Sequence, residues 1–323
     1  MRWVPVVFAA LAVLPASGQE RVDLAPQEPA FQSPTRDWGK LYVQTWEMRQ
    51  LERVHRGDGV EAWQIAYKSL EEGITGFLAR PYISINERTG KPAERFPAII
   101  LCHDGGRGVT QPYRQAAIEL AKMGYVVAAS SYRGNYGIEG QSQGRREFGK
   151  SEVIDVLQLA QLVRKADYVD SQRMIIVGEG EGGLIASQII GRSNIFRGAV
   201  LVSPYLFSGM SQYGYAGART YAEVAQKVFG RRLSESEILR GVRDRDSFRF
   251  IDQVTAPTLV ILDGSQRDET ALNRWIAALT RNGVKTEVLR YQGAAPGFLW
   301  SPSTRFNAWD NMVRWIEAYA PPN

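Results

Sequence analysis

"RMIIVGEGEGGLIASQIIG", Arg173 to Gly191, is the stretch on which the reading of this chain turns. A short β-branched run, Met174–Val177, gives way to the turn Gly178-Glu179-Gly180-Glu181-Gly182-Gly183 and then to a helical pattern. A buried strand, a tight Gly-x-?-x-Gly-Gly turn and a helix make the setting of a nucleophile elbow. The flanking glycines let strand and helix crowd together, while the central residue takes a strained backbone angle. The central residue here is Gly180, and the turn holds no serine, cysteine or threonine.

Further apolar runs flank this one on both sides. "PAIILC", "GYVVAAS", "GAVLVS" and "PTLVILDG" are short, continuous and β-branched, as strands buried on both faces require. Helical patterns separate most of them. In "KSEVIDVLQLAQLVRKA", Val153, Val156, Leu157, Ala160 and Val163 fall on one face. "QPYRQAAIELAKM", "DETALNRWIAALTRNG" and "FNAWDNMVRWIEAYA" read as further helices, with "KTEVLRY" as a last strand. Strand alternating with helix predicts an α/β fold with a doubly wound, mostly parallel sheet and right-handed crossovers. "VEAWQIAYKS" and "EGITGFLARPY" predict an antiparallel N-terminal hairpin at one edge of that sheet.

The reading divides the chain into residues 1–18 as a signal peptide, 19–60 as an N-terminal extension and 61–323 as the domain. Residues 1–18 carry Arg2, an apolar core from Trp3 to Leu14 and small residues before Gly18, a pattern of cleavage and export to a periplasm or beyond the cell. That core is too short to span a bilayer, so no stable membrane span is expected after cleavage. The extension begins as a Pro-, Gln- and Glu-rich tail and ends as a short amphipathic piece packing on the domain. Residues 205–250 break the strand–helix rhythm and are expected to fold as a small cap. Within it Tyr205, Phe207, Tyr213, Tyr215 and Tyr221 either line a pocket rim or pack on the domain beneath.

With 323 residues, 44% hydrophobic and 23% charged, the chain is long enough for a full core. The single cysteine, Cys102, excludes an internal disulfide. The net charge of +5 is scattered, which argues against nucleic acid as a partner. No close spacing such as His-x-x-x-His is present, so neither a metal nor another cofactor is expected.

Six segments, in order, resemble motifs of the prolyl oligopeptidase family, α/β-hydrolase-fold serine peptidases and related esterases. They are "CHDGG", "SYRGNYG", "FGKSEVIDV", "VDSQRMIIVGEGEGG", "APTLVILDGSQRD" and "LRYQGAAPGF". The resemblance implies the α/β-hydrolase fold and assigns the nucleophile position to Gly180 and the catalytic histidine position to Pro296. The acid position falls at Arg267, or at Asp268 if the loop carries one extra residue. Gly105 and Gly106 fall in the turn that the family uses for its oxyanion hole. Together with Glu181 and Tyr132, they are the expected ligand-binding residues.

These departures decide the expected chemistry. Acyl transfer needs an attacking hydroxyl and an imidazole to take and return its proton. Glycine and proline supply neither, and loss of such a nucleophile alone costs about 10⁶ in rate. The only histidines are His55 and His103, and Cys102 and His103, as strand neighbours, should face opposite ways. The triad positions are thus expected to be degenerate, leaving a binding protein for a peptide or small hydrophobic ligand in the former cleft. The alternative is a live hydrolase with a rearranged, carboxylate-based site. Glu179 and Glu181 either favour the positive end of a helix, or Glu181 joins Asp268 and Asp104 in an acidic cleft. Gly180→Ser alone should stay inert, and Gly180→Ser with Pro296→His is the pair expected to regain slow ester cleavage.

Overall fold

The computed structural model describes residues 48–209, 215–264 and 269–323. The signal-peptide segment, most of the 19–60 extension, Tyr213, Arg267 and Asp268 lie outside the described residues. Nine strands form the main sheet: β1 (Arg49–Gly57), β2 (Val60–Ser69), β3 (Glu72–Pro81), β4 (Phe96–Cys102), β5 (Val126–Ser130), β6 (Val169–Glu179), β7 (Gly198–Val202), β8 (Thr258–Leu262) and β9 (Thr286–Arg290). Their order is β1-β2-β3-β5-β4-β6-β7-β8-β9. The pairs from β5 through β9 are parallel, while β1–β2, β2–β3 and β3–β5 are antiparallel. The expected hairpin is β2–β3, closed at Leu70–Glu71. Beyond it the sheet gains β1, from a segment that the sequence reading placed in the extension, so the sheet begins before residue 61. Its half-exposed alternation is that of an edge strand with one wet face.

Among the described residues the α-helices are α1 (Gln111–Lys122), α2 (Glu152–Lys165), α3 (Glu181–Ile190), α4 (Ala218–Phe229), α5 (Glu235–Asp244), α6 (Thr270–Arg281) and α7 (Ala308–Tyr319). On one sheet face, α2, α3 and α6 bury a layer that includes Val156, Ile189 and Trp275. On the other, α1 and α7 bury Leu120, Met312 and Ile316. All five residues of the α2 stripe are buried. The sheet is therefore doubly wound as expected, because each parallel strand must be covered on both faces.

In the 205–250 interval, α4 and α5 pack as a small cap on Leu184 and Phe148 through Phe207, Tyr221, Ala225 and Val242. Phe207 and Tyr221 meet edge to face at 5.4 Å and are buried, so these two aromatics pack the cap rather than line a rim. Tyr205 and Tyr215 remain half-buried. Arg245 secures the cap to the body: it donates to the carbonyls of Phe148 (2.7 Å), Gly241 (2.9 Å) and Glu147.

Two of the quoted motifs are scaffolding. Arg133 of "SYRGNYG" donates through Nη2 and Nε to Asp155 of "FGKSEVIDV", at 2.7 and 3.1 Å, and Asp155 also accepts the Arg133 backbone N–H at 2.9 Å. Glu152 turns back to accept the N–H groups of Phe148 and Lys150 at 3.0 and 2.9 Å. Asp155→Ala strands a buried guanidinium and is expected to lower stability by about 3–5 kcal/mol. Urea denaturation checks this, and Asp155→Asn should fall between the two.

Candidate functional site

β6 ends at Glu179, α3 begins at Glu181, and Gly180 joins them with φ 51° and ψ −111°. Few residues other than glycine tolerate that backbone. The turn is pinned on both sides. Gly180 N–H donates to Val202 O (2.9 Å), and Gly180 O accepts from Leu184 N and Tyr205 N at 3.1 Å each. At Gly182 the helix is pressed so close to the end of β4 that an added Cβ would lie 2.1 Å from Cys102 O. The elbow geometry is thus present in full, with no side chain at its apex.

The space above the apex is filled from another loop. A Cβ built on Gly180 would lie 2.4 Å from Asp104 Oδ1 and 2.5 Å from its Cγ. Asp104 Oδ1 accepts the Glu181 N–H at 2.8 Å. This donor is of the kind that stabilises an oxyanion, since it is the N–H of the residue after the apex. In this chain it holds an internal carboxylate. Burial raises the Asp104 pKa, against the pull of the Glu181 N–H and of Arg146.

Two more carboxylates flank the apex. Glu179 is buried and accepts from Tyr113 Oη, from Trp300 Nε1 at 2.6 Å and from Gly297 N at 2.9 Å. Tyr113 Oη in turn accepts the Asp104 N–H at 2.9 Å. Glu179 therefore ties the strand end to α1 and to the loop that carries Pro296. Burial pushes its pKa up to about 7, opposed by the hydrogen bond from Tyr113. Glu181 is fully buried, pairs with Arg146 through Oε2, and leaves Oε1 without a partner. Burial pushes its pKa up to about 8, with the Arg146 guanidinium opposing.

The structure brings together some of the expected residues and not others. Gly105 and Gly106 are half-buried beside Asp104, and a Cβ on Gly106 would meet Arg146 Nη1 at 2.8 Å. Pro296 is exposed, one residue before the Gly297 N–H that binds Glu179. Tyr132 is fully buried: its ring stacks on His103 at 4.1 Å and its hydroxyl donates to His103 O at 3.0 Å. It supports the turn from below instead of facing a ligand, because its side chain points into the core. His103 is itself buried, and desolvation lowers its pKa to about 4, so it rests neutral. Cys102 joins the core layer under α2. Among the described residues no group of three or more His, Cys, Asp or Glu side chains is disposed to hold a metal ion. Arg146, Tyr113 and Trp300 escaped the sequence reading. Arg146 and both aromatics fall outside the six motif segments.

Sheet order, elbow and cap define an α/β-hydrolase. The chain belongs to the prolyl oligopeptidase family, whose model matches residues 112–321, nearly two thirds of its length. An uncharacterized peptidase, YuxL, of Bacillus subtilis (strain 168) is 26% identical over 238 residues, which cover 70% of this chain and 34% of that protein. The chain spans about a third of the length of the curated relatives it matches. Among solved structures, acetyl xylan esterase from Paenibacillus sp. R4 superposes with a TM-score of 0.63 at 17% identity, covering 84% of this chain and 88% of that one. Pyrococcus horikoshii acylaminoacyl peptidase gives a TM-score of 0.61 at 18% identity, covering 81% and 42% respectively. At these identities the structural likeness establishes the fold.

Two outcomes follow from the geometry. Gly180→Ala adds a methyl group at a forbidden angle and against Asp104, and is expected to cost about 1–3 kcal/mol or more. In a double-mutant cycle, Asp104→Gly should return part of that loss. Glu179 and Glu181 have folded pKa values above their ordinary 4.5, so the folded state binds more protons than the unfolded state between 4.5 and about 8. Their contribution to stability is therefore largest at the acid end and falls as pH rises through that window. The melting temperature of Glu181→Gln should change less steeply than wild type between pH 5 and 8.5.

Proposed function

We propose that this chain is an exported, non-catalytic member of the prolyl oligopeptidase family that uses the cleft over Gly180 to bind a peptide or a small hydrophobic ligand. The observation that carries the reading is the Asp104 carboxylate, seated where a side chain on Gly180 would lie and bonded to the Glu181 N–H. A developing oxyanion would meet a negative charge in place of donors. The assigned positions, Gly180 and Pro296, offer no attacking oxygen and no titratable ring. Export rests on the pattern of residues 1–18.

A second reading has its own support. Glu179 and Glu181 are buried carboxyls raised to about 7 and about 8, where a general acid or base works near neutral pH. A carboxylate-driven hydrolase would use Glu181 to move a proton to or from a water attacking an ester.

The two readings part in one set of assays. A fluorophosphonate probe should leave every serine unlabelled, and p-nitrophenyl esters and aryl amides should not turn over between pH 6 and 9. Turnover that disappears in Glu181→Gln would establish the second reading; covalent labelling of a cleft serine would overturn both. The Asp104 plug also revises the expected rescue. Gly180→Ser with Pro296→His should remain inert, because the added Oγ has no room, whereas adding Asp104→Gly should give slow p-nitrophenyl acetate cleavage. Strong activity in Gly180→Ser alone would show that the base had been misplaced.

A further inference from the structure

We infer that the β1–β3 edge of the sheet carries a second binding site, for a doubly charged oxyanion of the phosphate-monoester type, held by Arg53, Arg56 and Arg80. The site stands apart from the cleft over Gly180 and goes beyond the reading of that cleft.

Strand register sets up the cluster. Glu61 of β2 lies opposite Arg56 of β1 on one side and opposite Arg80 of β3 on the other. Directly opposed residues of antiparallel strands send their side chains to the same face, so the carboxylate has a guanidinium on each flank. Arg53 reaches the same carboxylate from further along β1, where the register shifts before His55. This row lies at the end of the sheet away from the elbow: Ala79 pairs with Val127 near the start of β5, whereas Gly180 follows the last residue of β6.

The charges of the row do not balance. Arg53 Nη1 and Arg56 Nε each stand 3.5 Å from Glu61 Oε1, and Arg80 Nη2 stands 3.4 Å from Oε2. Charge-assisted N–H···O bonds ordinarily close to about 2.7–2.9 Å. Shared among three guanidiniums, Glu61 draws none of them that near. Among the described residues it is the one carboxylate paired with any of the three, so two positive charges are left over. The adjoining turn does not offset them, because Asp58 is bound by Lys122 at 2.6 Å.

Ring contacts hold the guanidiniums in place. Arg80 lies over Trp63 at 4.7 Å and over Tyr168 at 5.1 Å, and donates to Pro81 O at 3.2 Å. Arg56 lies over Tyr82 at 5.8 Å. Stacking of this kind fixes the plane of a guanidinium and leaves its N–H edge for an oxyanion. The Arg53 and Arg56 side chains are 48% and 60% exposed, and that of Glu61 only 14%. A ligand arriving from solvent therefore meets the arginines first. A tetrahedral dianion offers several acceptor oxygens at once, and its two charges match the surplus. A monocarboxylate cancels half of it, and a cation is repelled.

Phenyl phosphate is the probe, with benzoate as its singly charged counterpart, titrated by calorimetry into the full chain at an ionic strength fixed with chloride. Phenyl phosphate should bind saturably, and benzoate about tenfold more weakly or worse. Affinity for phenyl phosphate should rise between pH 5 and 7, as the monoester gains its second charge near pH 6. Arg53→Gln combined with Arg56→Gln should weaken binding about tenfold or more. Glu61→Gln removes the competing carboxylate and should strengthen binding several-fold, whereas a purely structural Glu61 would give no gain. Circular dichroism and the melting temperature confirm that each variant is folded. Equal binding of benzoate, binding unchanged in the folded double variant, or no gain in folded Glu61→Gln overturns the inference. So does absence of saturable binding, the result expected if chloride and water alone neutralise these arginines. Phosphatidylcholine vesicles with and without phosphatidic acid separate the two sources of such a group. Sedimentation with the phosphatidic acid vesicles that is lost in the double variant assigns the site to a lipid headgroup; binding of phenyl phosphate alone assigns it to a free monoester. The ester and fluorophosphonate assays judge the Gly180 cleft separately.

Discussion

The carboxylate of Asp104, held on the Glu181 N–H above a side-chain-free apex, is the constraint on which the site depends. Gly180 and Asp104 require each other. Any larger residue at the apex would collide with the carboxylate, and with no carboxylate there the Glu181 N–H would lose a charged partner. The helix N-terminus favours a negative group at that spot whatever its source. In this chain that group is the side chain of Asp104. Burial in the same wall, with a smaller push from Asp104, moves Glu179 and Glu181 toward neutrality.

Much of the fold was legible because its causes are local. The β-branched runs of the parallel strands and the stripe from Val153 to Val163 declare burial directly. The elbow was legible because glycines crowd one turn. The edge strand Arg49–Gly57 was not, since "RQLERVHRG" is polar on its wet face and gains its conformation only by pairing with β2. The site was legible in outline alone. Gly180, Glu181 and the loop that carries Gly105 and Gly106 meet at Asp104. Tyr132 lies fully buried on His103, and a ring two residues beyond a buried strand gives no sign in the sequence of which way it points. Glu179 read as a helix-end charge, whereas its three donors come from α1 and from the C-terminal loop, more than sixty and more than one hundred residues distant. Contacts of that range leave no periodic trace in a sequence.

The family match and the local departures bear on different levels. The sheet order, the Arg133–Asp155 pair and the strained turn all serve the scaffold. What occupies the turn is set by a handful of side chains that the scaffold does not dictate, and function has to be argued from those.

The cap has a consequence for traffic. Arg245 bolts it to the segment before α2 through backbone carbonyls, and the Phe207–Tyr221 pair fills the seam beneath it. A guest bulky enough to lift this roof would first have to break those carbonyl bonds and part that ring pair, so breadth is penalised in lost contacts.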